Sequence, residues 1–339
     1  MAKRLIKLHF QNGLNLQSFK KEVWDINGIA DAFDFEESTN PDMIIFGPYG
    51  NDIPVPGSYI RVGYFCENIK PDLSICEWAF GIPREQEINN PRYARIQWHG
   101  TDPQLLVKPD DYNAAEIFSK KKYFCNFLYS HKVPYREEFF KQLSQYKKVD
   151  APGKSMNNMQ SFDGLYTGNA WQRKRQFMSG YKFTLAFEND VYPGYQTEKL
   201  YDAMQANSIP VYCGDPFVDE VFNTASFINV YDIVNKPNTP RMSWLEKNTL
   251  FDFKDIRPAF YNKSADKIKR KIKAVGKDIK MQRKFTREDF AKVINRIIEL
   301  DKDDEGYIKM LQQPWLVNNT VPQNLGGAQR WMEIFNSIK

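Results

Sequence analysis

The residue types best suited to chemistry crowd into one stretch, residues 181–214. A nearly continuous apolar run, residues 181–187, is followed directly by Glu188, Asn189 and Asp190. A loop through Pro193, Gly194 and Tyr195 then leads to Thr197-Glu198-Lys199, where a helix is predicted over residues 197–206. Thr197 is placed as its N-cap and Glu198 in its first turn, both favourable there. A buried parallel strand that ends in polar residues and hands over to a helix N-terminus is a natural anion site, because ligands bind at the carboxyl ends of such strands and the helix offers free N–H groups. Lys199 has the wrong sign for a first helical turn, at a cost of about 0.3 kcal/mol or more if nothing compensates it. Two readings stand side by side: Lys199 meets a bound anion such as a diphosphate, or it points into water.

The elements that must position this block follow from hydrophobic patterning. Short apolar runs predict strands at residues 4–10, 43–46, 62–66, 73–78, 95–98 and 123–129. Pro134 opens a helix over residues 135–146, where its missing N–H is harmless. A Gly/Ser/Asn-rich loop covers residues 151–168, and a helix is predicted over 171–178. Buried strands follow at 209–213 and 226–230, and from about residue 262 the chain reads as mainly helical. This order predicts an α/β fold with doubly wound parallel sheets. A length of 339 residues fits two domains rather than one.

Composition excludes several classes. Apolar residues make up 42% of the chain, enough to bury cores and to exclude global disorder. The balance of 47 Lys and Arg against 42 Asp and Glu gives +5, which permits an anionic partner but lacks the charge density of a nucleic-acid-packaging protein. No stretch of about 18 apolar residues predicts a membrane-spanning helix. Lys7 and His9 interrupt what would be the apolar core of a signal peptide. The cysteines Cys66, Cys76, Cys125 and Cys213 are widely spaced, without Cys-x-x-Cys, and read as small buried hydrophobes in an intracellular chain. The Asn-x-Ser/Thr patterns at Asn262 and Asn318 weigh slightly the other way.

Three pieces of the block, Phe187-Glu188-Asn189, Tyr195-Gln196-Thr197-Glu198-Lys199 and Pro210-Val211-Tyr212-Cys213-Gly214, keep a spacing that is highly specific. Together they resemble the donor-binding block of the α1,3/4-fucosyltransferases, glycosyltransferase family 10. The resemblance is close to about Val230, holds only in pattern in the first third, and fades after Asp232. It implies a GT-B fold, two Rossmann-like domains facing across a cleft: residues 1–120 on the acceptor side, 121–310 binding GDP-fucose, and 311–339 as a C-terminal helical extension. It implies donor contacts from Asn189, Tyr195, Glu198 (ribose) and Lys199 (diphosphate), with Arg136 also reaching the diphosphate. Glu67, in Gly63-Tyr64-Phe65-Cys66-Glu67-Asn68, resembles the family's general base, with Cys66 where Gly is usual. Asp190 and Gln196 also depart from the common pattern, which bears on fine specificity.

The implied activity is inverting transfer of L-fucose from GDP-fucose to the 3- (or 4-) hydroxyl of an N-acetylglucosamine-containing glycan, as in Lewis-type antigen or surface polysaccharide synthesis. No cofactor is expected; stimulation by divalent ions stays open. With no signal or anchor read in it, the chain looks like the bacterial branch, which implies a cytoplasmic site, with a peripheral place at the inner face of the membrane as a further expectation. Alternatives are a GT-B enzyme using another sugar nucleotide or acceptor, and a non-catalytic protein that binds polyanions or membranes.

That last alternative rests on residues 263–287, Lys263 to Arg287, which hold eleven Lys and Arg against two Asp. Ile268, Ile272, Val275 and Ile279 recur at helical spacing, so the segment is basic and amphipathic. The simpler expectation sets this apolar stripe on the domain and the charges in water; the other is docking to an anionic membrane surface. No nucleic-acid partner is expected. Asp301 to Gly306 has the acid spacing of a calcium loop, but Gln312 stands where a bidentate carboxylate is needed. Of His9, His99 and His131, only His99 is kept as a cleft candidate.

Overall fold

The computed structural model describes residues 3–23, 29–50, 52–69, 71–234, 264–322 and 327–338. Two parallel sheets organise them. The first has β1 (Arg4–Gln11), β2 (Phe33–Glu37), β3 (Met43–Phe46), β4 (Ile60–Phe65), β5 (Trp78–Gly81) and β6 (Tyr93–Arg95), in the order β2-β1-β3-β4-β5-β6. The second has β7 (Tyr123–Asn126), β8 (Val149–Asp150), β9 (Tyr181–Phe187), β10 (Ile209–Cys213) and β11 (Ile228–Asn229), in the order β11-β10-β9-β7-β8. Every described pairing within the sheets is parallel. In each sheet the chain order reverses once, between β1 and β3 and between β7 and β9. Such a reversal opens a crevice at the carboxyl ends of the strands.

Several sequence expectations need correction. The run at 73–78 is not a strand: Leu73, Ile75 and Cys76 pack as a loop into a small core with Phe46 and Phe65. Arg92 holds that loop by donating to the Cys76 and Leu73 carbonyls. The strand starts only at Trp78 and pairs with β4. The strand expected at 95–98 lies at Tyr93–Arg95, and that at 226–230 shrinks to Ile228–Asn229 because Asn229 caps a helical turn from Val230.

Apolar faces explain the packing. Phe139 on the Pro134–Leu143 helix, Phe187 on β9 and Phe290 on the Arg287–Lys302 helix meet in the second core. The last helix, Ala328–Ser337, instead crosses back to the first sheet. Trp331 stacks on Phe80 at 4.1 Å, and Phe335 packs against Phe33 and Phe35. Lys108 ties the return together: its ammonium donates to the Leu311 and Gln313 carbonyls and lies 3.8 Å from the Trp315 ring centre. The acidic Asp301–Gly306 stretch is structural, with Asp301 held by Lys147 and Lys182.

The basic helix, Ser264–Lys284, also corrects the simpler expectation; Lys263 and Asn262 lie outside the described residues. Its stripe does not face the body. Ile268, Ile272, Val275 and Ile279 are 60%, 64%, 58% and 45% exposed, while Met281 is buried beneath the helix.

Candidate active site

The carboxyl ends of both sheets border one cleft of about 960 Å³. Glu67, Gln97 and His99 line it from the first sheet's side; Arg136, Asn189, Tyr195, Glu198 and Lys199 line it from the second. The fold therefore brings all six sequence-derived site residues to one cavity, together with His99.

On the second side the geometry starts from Glu188, which the sequence left without a role. Its carboxylate is fully buried at the end of β9. It accepts from the Thr197 backbone N–H at 2.9 Å and from the Thr197 hydroxyl, and it pairs with the Lys199 ammonium at 3.1 Å. Thr197 consequently does not cap its helix with its own side chain. Glu188 satisfies that N–H instead, and supplies the charge that compensates Lys199. Gly214 is part of this seat, because a Cβ there would lie 2.6 Å from Glu188 Cγ.

Lys199 is only 16% exposed and also lies 3.4 Å from Glu198. Burial works against its charge, but Glu188 and Glu198 outweigh burial and raise its pKa above the ordinary lysine value. Burial likewise opposes the charge on Glu198, yet Lys199 and Lys174 overcome it and hold that carboxyl at about 2. Burial pushes the Glu188 carboxyl upward, with Lys199 opposing.

Arg136, almost fully buried, stacks its guanidinium 3.6 Å over Tyr129. It donates to the Phe187 and His131 carbonyls and to Asn189 Oδ1, which leaves Nε without a partner. Tyr195 is buried and stacks on Tyr192 at 4.8 Å.

Gln196 belongs to a buried network that joins the two sides. It donates to Asp215 at 2.8 Å and accepts from Gln97 at 3.1 Å. Arg95 reaches the same Asp215 at 3.5 Å and donates to the Gly194 carbonyl at 2.8 Å. Gly194 has φ +92, a conformation that favours glycine, and it abuts the Ile82 carbonyl. Beyond Glu198 the cavity wall continues through Lys174, which is paired with Asp202, to the exposed Trp171 ring.

On the first side Glu67 follows β4 and is exposed. Tyr49, in the loop after β3, donates its hydroxyl to Glu67 Oε1. Partial burial and this bond raise the Tyr49 phenol well above its ordinary value. His99 contacts the Tyr64 hydroxyl through Nδ1 at 3.2 Å. Of the residues the sequence missed, Glu188 carried a signal, since it is the first polar residue after the apolar run. Tyr49, Gln97 and Asp215 carried none, because their partners are distant in the chain.

Residues 117–248 match the family model described as the C-terminal domain of glycosyltransferase family 10 (fucosyltransferase). Over these residues the chain is similar to glycosyltransferase family 10. The α-(1,3)-fucosyltransferase FucT of Helicobacter pylori is 37% identical over 116 residues, 34% of this chain and 23% of that protein. α-(1,3)-Fucosyltransferase B of Drosophila melanogaster is 33% identical over 105 residues, 30% of this chain and 24% of that protein. The aligned segment thus spans about a quarter of these curated relatives. A crystal structure of an α1,3-fucosyltransferase with GDP aligns over 100% of this chain and 92% of the other, with a TM-score of 0.64 and 22% identity. The chain has the GT-B fold, two parallel-sheet units about a cleft, followed by helices. No helix among the described residues is long and apolar enough to cross a membrane.

Proposed function

We propose that this chain is an inverting fucosyltransferase. It moves L-fucose from GDP-fucose to the 3- (or 4-) hydroxyl of an N-acetylglucosamine-containing glycan. The observation that carries the reading is the placement of one exposed carboxylate, Glu67, across a single cleft from a buried cationic pole, Lys199 and Arg136. Solved relatives named as holding GDP and GDP-fucose support the donor assignment.

In this reading the acceptor oxygen forms a bond to the fucose anomeric carbon as the bond from that carbon to the β-phosphate oxygen breaks. Glu67 takes the hydroxyl proton, because an un-ionised sugar hydroxyl is a poor nucleophile. A single displacement needs one base, which fits one carboxylate on that wall. The departing GDP gains negative charge. Lys199 meets it as a point charge, and Arg136 adds a fixed guanidinium cation at the cavity wall. Asn189 and Tyr195 complete the donor contacts, and Glu198, held ionised, accepts from ribose hydroxyls. The base then extends along the wall towards Trp171, whose exposed ring offers a stacking face. In this reading these cations supply the charge stabilisation, and no cofactor is required.

The test is incubation of the full chain with GDP-, UDP- and ADP-sugars and N-acetylglucosamine-containing acceptors. The expected result is release of GDP and a fucosylated product with GDP-fucose alone. Transfer from a UDP-sugar in preference to GDP-fucose overturns the reading.

A further inference from the structure

The Ser264–Lys284 helix has its faces distributed in an unusual way. Aliphatic side chains belong inside, yet Ile268, Ile272, Val275 and Ile279 are about half exposed or more, while Lys273 and Lys280 are nearly buried on the body side. Positions i, i+4, i+7 and i+11 lie on one face of an α-helix, so these four side chains form one continuous strip about 16 Å long. The helix carries nine Lys and Arg against two Asp. Lys271 and Arg283, both exposed, border the strip. An outward apolar strip with a cationic rim has the chemistry of a helix that lies in a lipid interface, apolar face down and charges at headgroup level.

We propose that this helix docks the protein on an anionic lipid surface. Charge selects this occupant. Pairing the strip with a second copy would bring two strongly cationic helices together. A nucleic acid would satisfy the lysines but offer nothing to four aliphatic side chains. An anionic bilayer complements both features. The helix packs beside the donor block: Lys280 lies 3.8 Å from Asp190, the neighbour of Asn189. The proposal does not depend on the transferase reading, because its readout is binding.

The full chain is sedimented with vesicles of phosphatidylcholine alone and of phosphatidylcholine mixed with phosphatidylglycerol, at low and high salt. Binding is expected to be at least about tenfold tighter to the anionic vesicles and to weaken with salt. Two double variants at exposed positions, Ile272→Asp with Ile279→Asp and Lys271→Glu with Arg283→Glu, are expected to lose vesicle binding by a similar factor. Both should keep their circular dichroism and their turnover of a soluble acceptor. Equal binding to neutral vesicles, or full binding by the Ile272→Asp/Ile279→Asp variant, overturns the proposal. So does a concentration-dependent dimer abolished by that variant, which would make the strip a contact between copies, or equally tight binding of RNA. Failure of soluble transfer with vesicle binding intact counts against the transferase reading alone.

Discussion

The two walls of the cleft are built to opposite standards. On the donor wall, Glu188 is fully buried and engages Thr197 twice and Lys199 once, while Arg136 is fixed by two carbonyls, Asn189 and the Tyr129 ring. Each of these three groups, Glu188, Lys199 and Arg136, has several partners, and shifting one strands another. On the facing wall Glu67 is exposed and held by Tyr49, a side chain that is itself 58% exposed. The contrast follows from the chemistry proposed. A diphosphate of fixed shape rewards pre-organised charge, whereas a base must admit a varied glycan and needs only reach its hydroxyl.

Substitutions on the two walls should therefore fail differently. The largest effect is expected from Glu67→Gln, which keeps size and hydrogen bonding but cannot take a proton. Its kcat should fall about 10²- to 10⁴-fold, with GDP affinity by calorimetry within about twofold of wild type. A parallel loss of GDP affinity would place Glu67 on the donor wall and erase the contrast.

Next comes Lys199→Ala, expected to lower kcat/KM for GDP-fucose by about 2–4 kcal/mol of transition-state stabilisation. It should also abolish the rise in Tm that GDP produces by mass action. Because it leaves Glu188 buried without its cation, the unliganded Tm should drop as well. An unchanged Tm would mean the donor wall is less tightly determined than its contacts indicate.

Gln196→Leu probes the network between the walls. The substitution removes one donor from the buried Asp215 carboxylate, leaving it Arg95 and the Phe217 N–H, and frees Gln97. It should raise KM for GDP-fucose several-fold, about 1 kcal/mol, with kcat nearly unchanged. A fall in kcat with KM constant would show that the network serves the base wall instead.

The smallest expected effect concerns pH and lies away from the cleft. Burial pushes both Lys108 and Lys121 down to about 7. Unfolded, each titrates near 10.5. Between these values the unfolded chain binds more protons than the folded one, so these lysines make stability rise with pH, and below about 7 their full penalty applies. Wild-type Tm should gain on that of Lys108→Met/Lys121→Met as pH rises from about 7 to 9. A constant difference would show that carbonyl and ring contacts keep the two ammonium groups charged.

What was legible in the sequence tracks the same divide. The donor wall is one contiguous block, so strand, loop and helix N-terminus could be read from local patterning. The base wall draws on loops after β3 and β4, and its Tyr49–Glu67 bond has no local trace. Likewise β2, Phe33–Glu37, alternates apolar with acidic residues at a sheet edge and went unread, while 73–78 was apolar for the sake of a packed loop. The helical character of 263–287 was legible, but not which face it turns outward. Nor could the return of Trp331 and Phe335 to the first sheet be foreseen, since Phe80 and Phe35, their partners, lie in the first quarter of the chain.

The central claim is that the cleft joins a donor platform to one base for a single inverting displacement. It is tested most directly by giving wild type and Glu67→Gln GDP-β-L-fucose with an N-acetylglucosamine-containing acceptor, and determining product configuration and linkage by NMR. The account predicts an α-linked fucoside at the 3- (or 4-) hydroxyl from wild type and essentially none from Glu67→Gln, both proteins binding GDP alike. A β-linked product, or transfer by Glu67→Gln at the wild-type rate, would contradict it.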